Sequence, residues 1–518
     1  MAVTRRRLLG IAAGTGTAAA IGLAVPWLIS SAETGRLLPS EVPLPDPFRM
    51  PLPIPPVLEP LSADGIDRYE VTHRRALVEV IPGMTTEIWG YDGRFPGPTI
   101  VSRRGRSVVV RHRNHLPVPS AVHLHGGRTP AASDGYPTDL ILPDGADGVA
   151  GLSQHRHHDP QAITTRVFRD YEYPMSQRAA TLWYHDHRMD FTGPGVWRGL
   201  AGFHLVHDDE EEALPLPAGD RDIPLMIADR SFAADGSMRY PSLDPTHQHT
   251  PGVEEGFRQG VLGDVVLVNG VAWPFHEVPS VRYRLRLLNA SNTRRYRLAL
   301  DPPPVGGAGL VQIGSDGGLL DRPVGHDIID IAPGERFDVV VDFGRYAPGQ
   351  PVTLVNRLGV GSTRNVMQFR VVGGATDDSA VPARLSTIEP LQPGRGTVTR
   401  DFVFRNAEDH TWEINGRQFD PARMDATVPL GDTEVWRFTT DFHHPVHLHL
   451  EHFQVLTRNS EGRGPFDSGW KDTIDLRPAE RVAVAVRFTD HPGRYVFHCH
   501  NLEHEDMAMM ANMQVVSR

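Results

Sequence analysis

Short runs in which apolar and polar residues alternate recur along the chain, among them SVVVRHR (107–113), VRYRLRLL (281–288) and RVAVAVRF (481–488). A period of two in β-branched residues, bounded by clusters of Gly, Pro, Asp and Asn, predicts half-buried strands. No segment carries a long amphipathic period of 3.6, so the chain reads as all-β. The run NLEHEDMAMM (501–510), rich in helix formers and free of Pro and Gly, predicts one short helix just after Cys499.

The pattern also repeats. IAPGERFDVVVDF (331–343) is echoed by LRPAERVAVAVRF (476–488), and VNGVAWP (268–274) by INGRQFD (414–420), at nearly equal offsets. VHLH occurs at 122–125 and again at 446–449. Tandem copies of one β-sandwich unit account for matched offsets. The expected domains span 61–215, 216–385 and 386–518, preceded by a Pro-rich extended segment over 33–60. Three units also suit a chain of 518 residues, too long for one ordinary core.

Composition narrows the class. Gly 50 and Pro 45 fit a turn-rich β chain, and a net charge of −11 offers no basic field for nucleic acid or anionic lipid. A single cysteine excludes an internal disulfide. Residues 1–32 resemble a twin-arginine signal peptide: TRRRLLG (4–10), an uncharged Gly/Ala-rich stretch from Leu8, and small residues at Ser30, Ser31 and Ala32. That implies export to the periplasm or the cell exterior. The competing reading is an uncleaved anchor, the only membrane association expected. A monomer is expected, because three units can cover one another's faces.

Histidine spacing carries the chemistry. Four His-X-His pairs sit in strand-like contexts: His123/His125, His185/His187, His447/His449 and His498/His500. Residues two apart on a strand share a face, so each pair presents two imidazoles to one place. Cys499 has the opposite parity to its flanking histidines, and His444 the opposite parity to His447 and His449. Two groups follow. Cys499, His444, His504 and Met509 supply two imidazoles, a thiolate and a thioether, the donor set of a blue-copper site. The eight paired histidines are too many for one ion and suit a three-metal cluster. The polar stretches holding His155/His157 and His247/His249 read as solvated loops without a site. His443 reads as a neighbour of the ligand His444.

With HLHGG, WYHDH, HPVHLH and HCHNLEHEDMAMM all present, the chain resembles three-domain bacterial multicopper oxidases of the spore-coat laccase and bilirubin oxidase group. WGYDGRFPGPTI, SDGYP, LNASNT and IGSDGGLL extend the likeness over nearly the whole chain after the leader. The resemblance implies cupredoxin-like Greek-key sandwiches with no copper in the middle one, and four copper ions in all. His444, Cys499 and His504 would hold the type 1 ion. Met509, ten residues after the cysteine, would be its axial ligand in preference to Met507 or Met510. His123 and His447 would hold the type 2 ion, and His125, His185, His187, His449, His498 and His500 the type 3 pair. Asp134 and Glu505 resemble the family's proton-handling acids. The implied activity is one-electron oxidation of phenols or aromatic amines at an exposed edge of His504 or His444, coupled to reduction of O2 to water. Bilirubin oxidation is the close alternative, although Phe442 stands where those enzymes carry Trp. A cuprous oxidase would be expected to carry a Met-rich insert, which the sequence lacks. A copper nitrite reductase lacks four such pairs, and a non-enzymatic cupredoxin-domain protein would have lost ligands.

Overall fold

The computed structural model describes residues 34–145, 158–408 and 410–517. The leader expected over 1–32 and the His155/His157 pair lie outside the described residues. Within them, the strands form three pairs of large sheets stacked on apolar cores.

In the first pair, a five-stranded sheet built around Asp67–Glu79 faces a four-stranded sheet ordered Gly97–Arg103, Ala201–His207, Ala180–Asp186, Val122–His125. The alternation expected of SVVVRHR is realised in Val108–Asn114, whose residues are buried and half-buried in turn. In the second pair, an eight-stranded sheet carrying Arg282–Asn289 and Arg336–Asp342 faces a five-stranded one. The third pair joins a five-stranded sheet containing Thr433–Thr440 and Arg481–Arg487 to a sheet ordered Ala426–Pro429, Met510–Val516, Gly493–Cys499, His444–Leu448, Thr473–Leu476. Each pair encloses its own cluster of buried side chains, centred on residues such as Val110 and Tyr171, Leu287 and Phe337, and Trp436 and Phe497. Removing this apolar area from water is the main force holding each sandwich.

The Pro-rich segment is threaded across two of these units. Arg36–Leu38 pairs in parallel with Val261–Gly263, Pro51 bridges Phe275 and Val57 bridges Thr99. Leu38, Val42 and Leu52 are buried in the core of the second pair. The short helix expected after Cys499 is Leu502–Asp506, and the Asn501 side chain caps it by accepting from the Glu503 N–H. Among the described residues no helix is long and apolar enough to cross a membrane.

Candidate metal centres

Register brings the paired histidines together. In the first unit His123 lies opposite His185 on antiparallel strands, and in the third unit His447 lies opposite His498. The two strand pairs face each other across the domain boundary. All eight imidazoles are at most 1% exposed. They sort by their nitrogen atoms into His125, His185 and His500, into His187, His449 and His498, and into His123 with His447. His449 also lies within reach of the last group.

The nitrogens themselves test whether metal fits. His123 Nε2 faces His447 Nε2 at 3.3 Å, His187 Nε2 faces His498 Nε2 at 3.3 Å, and His449 Nε2 faces His498 Nε2 at 3.2 Å. His125 Nδ1, His185 Nε2 and both nitrogens of His500 are buried with no hydrogen-bond partner. Burial holds His123, His125, His187, His447, His449 and His500 well below the ordinary imidazole range, so they are neutral donors at physiological pH. Neutral lone pairs converging without protons between them form a cation site.

The opposite ring nitrogens are held by the chain. His123 Nδ1 donates to the Asp134 carbonyl at 2.6 Å, His449 Nδ1 to Asp134 Oδ2 at 2.7 Å, and His447 Nδ1 to the Asp472 carbonyl at 3.0 Å. Each bond selects the tautomer that leaves Nε2 free. His125 is turned the other way: its Nε2 donates to Asp472 Oδ1 at 3.1 Å, which leaves Nδ1 as the ligand atom. Trp183 stacks on His185 with ring centroids 4.1 Å apart.

The middle unit, which contributes none of the grouped histidines among the described residues, reaches this cluster. Buried Arg336 donates through Nη1 to Asp472 Oδ1 at 2.7 Å and through Nη2 to Asp472 Oδ2 at 2.5 Å, and so fixes the carboxylate that orients His125. Its remaining donors go to the carbonyls of Thr181, Gly334 and Asp316. Beside it, buried Lys471 lies 3.0 Å from Asp316 and 3.1 Å from Glu335. Gly334, at φ +84°, has no room for a side chain: a Cβ there would stand 3.0 Å from His125 Cε1 and from His500 Cδ2.

The second centre lies within the third unit. Cys499 Sγ is 3.4 Å from His444 Nδ1 and 3.6 Å from His504 Nδ1, and those two nitrogens are 3.2 Å apart. Met509 is fully buried in the same apolar cluster as Cys499, whereas Met510 packs with Tyr136 and Phe419 in another. Burial pushes the Cys499 thiol well above its ordinary range, so a thiolate here requires a cation beside it. The Asn501 N–H pointing at Sγ, at 3.4 Å, suits a sulfur carrying negative charge.

Both acids singled out in the sequence lie at the interdomain cluster. Asp134 is fully buried, its carboxyl pushed up to about 6 by desolvation, and its Oδ1 has no partner. Glu505 lies 3.2 Å from His498 Nδ1 and 3.7 Å from His187 Nε2, on the helix that also carries His504.

Two expectations are corrected. Neither His444 nor His504 has an exposed edge, at 0% and 1% exposure. Trp412 stacks on His504 at 3.6 Å, and His504 Nε2 donates to the Gln259 carbonyl at 3.2 Å. His444 Nε2 lies 3.3 Å from Asp441 Oδ1, and it is the Asp441 side chain, 39% exposed, that meets solvent. The His247/His249 stretch is not uniformly solvated: His249 is exposed, but His247 is 2% exposed and packs edge-on against Trp89. Sequence reasoning also missed Arg336, Asp472 and Gly334. Arg336 and Gly334 stood inside the repeated IAPGERFDVVVDF stretch, but nothing in that motif says which metal ligand it approaches.

Comparison with known proteins places this arrangement. Family models described as multicopper oxidase match residues 73–211 and 389–518. A laccase of Bacillus stratosphericus is 38% identical, covering 90% of this chain and 98% of the relative. A bilirubin oxidase of Albifimbria verrucaria is 35% identical, covering 90% of this chain and 80% of the relative. The crystal structure of a laccase from Pediococcus acidilactici superposes with a TM-score of 0.79 at 31% identity, covering 93% of this chain and 96% of the other.

Proposed function

We propose, from the premise that the chain belongs to the multicopper oxidase family, a laccase-type enzyme that couples one-electron oxidation of phenols or aromatic amines to reduction of O2. The cupredoxin-like sandwiches, the copper dependence and the oxidoreductase class are those of the family. The finer assignment is one type 1, one type 2 and two type 3 ions. His444, Cys499, His504 and Met509 hold the first, His123 and His447 the second, and His125, His185, His187, His449, His498 and His500 the pair. When bound, copper supplies stepwise electron acceptance at the cysteine centre and four-electron reduction of O2 to water at the histidine cluster.

One observation carries this reading: Cys499 belongs to one centre while the residues on either side of it, His498 and His500, belong to the other. The backbone is the connection between a donor-side centre and an oxygen-side centre, and His498 Nδ1 adds a 3.1 Å bond to the Cys499 carbonyl. The remaining work falls to side chains. Burial of all eight histidines keeps bulk water from the cluster. Asp134, its carboxyl raised to about 6 by burial, is placed to take up and release a proton beside His449, and Glu505 offers a second carboxyl beside His498 and His187. Donors dock on the shell over His444 and His504, whose exposed members are Asp441 and Gln259. We further propose a monomer exported by the twin-arginine route.

Bilirubin oxidation is the second reading, favoured by the similarity to a bilirubin oxidase and weakened by Phe442. Oxygen uptake by the copper-loaded protein with a methoxyphenol, bilirubin and cuprous ion decides between them. Fast uptake with the phenol is expected. A strong preference for bilirubin or cuprous ion reassigns the donor, and no uptake with any donor contradicts the enzyme.

A further inference from the structure

A cavity of about 480 Å³ opens between the N-terminal strand Arg36–Leu38, the end of the helix Thr192–Arg198 and the chain from Met238 to Phe257. None of its lining residues belongs to either metal centre. Three arginines face it. Arg239 is already engaged, 3.4 Å from Glu41 and donating to the Pro39 carbonyl at 2.5 Å. Arg36 and Arg198 are not: among the described residues neither guanidinium has a hydrogen-bond or carboxylate partner. Arg36 lies over the Phe257 ring at 5.1 Å, and half-buried Arg198 lies over Trp89 at 4.8 Å. The one carboxylate of the lining, Glu254, is exposed and pairs with neither. Burial holds Arg198 below the ordinary guanidinium range; the charge of Glu87 offsets this only in part and makes no hydrogen bond or ion pair with it.

The loop that closes the cavity is built, not loose. His247 has a left-handed backbone at φ +54°, costly for a residue with a Cβ. Asp244 enforces it, its Oδ1 accepting from the Thr246 N–H at 2.8 Å and its Oδ2 from the His249 N–H at 2.7 Å. Arg188 clamps the His247 carbonyl at 2.9 Å. The result is a buried imidazole in the cavity wall whose Nδ1 has no partner. An unfilled hydrogen-bonding atom in an enforced conformation points to a ligand.

We propose that this cavity binds a small aromatic carboxylate, with Arg198 and Arg36 taking the carboxylate, His247 Nδ1 adding a hydrogen bond, and Phe257 and Tyr240 flanking the ring. Half-buried Arg198 has no hydrogen-bond partner to replace the water it has lost, exposed Arg36 lines the same cavity, and a planar carboxylate matches guanidinium fork geometry. The volume and the mixed apolar lining suit an organic ligand; a compact inorganic anion would leave most of the space unfilled. The inference is independent of the copper chemistry, because it concerns binding in a separate cavity.

Calorimetric titration of the full chain with benzoate, benzyl alcohol and sulfate tests it. Benzoate is expected to bind at least about tenfold more tightly than benzyl alcohol or sulfate, the effect of a charge-assisted carboxylate contact joined to ring burial. Arg198→Met and Arg36→Met should each weaken benzoate about tenfold, while Arg239→Met, which removes an already paired group, should leave it unchanged. Arg36 is exposed, so its variant keeps the test open should Arg198→Met fail to fold. Absence of benzoate binding, equal affinity for benzyl alcohol or sulfate, or benzoate affinity unchanged in the Arg36 variant would overturn the proposal.

Discussion

The two metal centres are built on opposite principles. The cysteine centre is local: His444, Cys499, His504 and Met509 come from one sandwich, three of them within eleven residues. The histidine cluster is distributed: its ligands come in equal number from the first and third sandwiches, and the second sandwich, without a ligand of its own, fixes Asp472 through Arg336 and closes on His125 and His500 with Gly334. A local centre depends on one fold being correct. A distributed one depends on how three folds dock. Changes at the cysteine centre should therefore remove one function cleanly, whereas changes at the docking contacts should weaken stability and cluster occupancy together.

The largest expected effect is the sharpest test of that separation. Cys499→Ser should abolish the blue absorption and lower turnover roughly 10³-fold or more, while the cluster keeps its copper, because no cluster ligand is touched. Loss of all bound copper, measured by atomic absorption, would show that the centres are not separable.

Asp134→Asn comes next. It keeps a group of the same size beside His449 but removes the proton, so oxygen reduction should slow roughly 100-fold with the blue absorption intact. An unchanged turnover number would remove Asp134 from proton handling.

Arg336→Met probes the docking side directly. Leaving the buried Asp472 carboxylate without its cation, held only by His125 and the Thr473 hydroxyl, should cost about 3 kcal/mol in unfolding of the copper-free protein. Copper in the cluster should fall while the blue absorption per folded chain persists. Full occupancy of both centres would reduce Arg336 to a contact without influence on the metal.

The smallest effect is a control on interdomain docking by a residue outside both metal centres. Glu211 follows the last strand of the first sandwich and accepts from Arg284 at 2.6 Å and Arg286 at 3.2 Å of the second; burial pushes its carboxyl up, but the two arginines outweigh this and hold it well below the ordinary range. A depressed folded pKa contributes stability above the unfolded value of 4.5, and that contribution is lost as pH falls below it. Glu211→Gln should therefore lower stability by about 2 kcal/mol at neutral pH, with the gap closing in acid and neither centre changed. A gap that stays constant from pH 7 to pH 3 would deny the ion pairs that role.

The same contrast explains what could be read from the chain. Strand parity separates Cys499 and His444 from the eight paired histidines because alternation is a local property, and it survives folding unchanged. The capped helix after Cys499 is local as well. The partition of the eight into two triads and a pair depends on which strands face each other across a domain boundary, and parity alone leaves it open. Arg336 reaches Asp472 from 136 residues away, a contact that no local pattern encodes. His247 shows the reverse failure. Its polar neighbours suggest a solvated loop, yet Asp244 folds them into a cap that buries the ring.

The measurement that bears most directly on this account is copper stoichiometry with visible absorption and electron paramagnetic resonance, run side by side on the wild-type chain and Cys499→Ser. Two separable centres predict about four ions and a blue band in the first, and about three ions, no blue band and a surviving type 2 signal in the second. A single ion in the wild type, or a blue band that outlives Cys499, would contradict it.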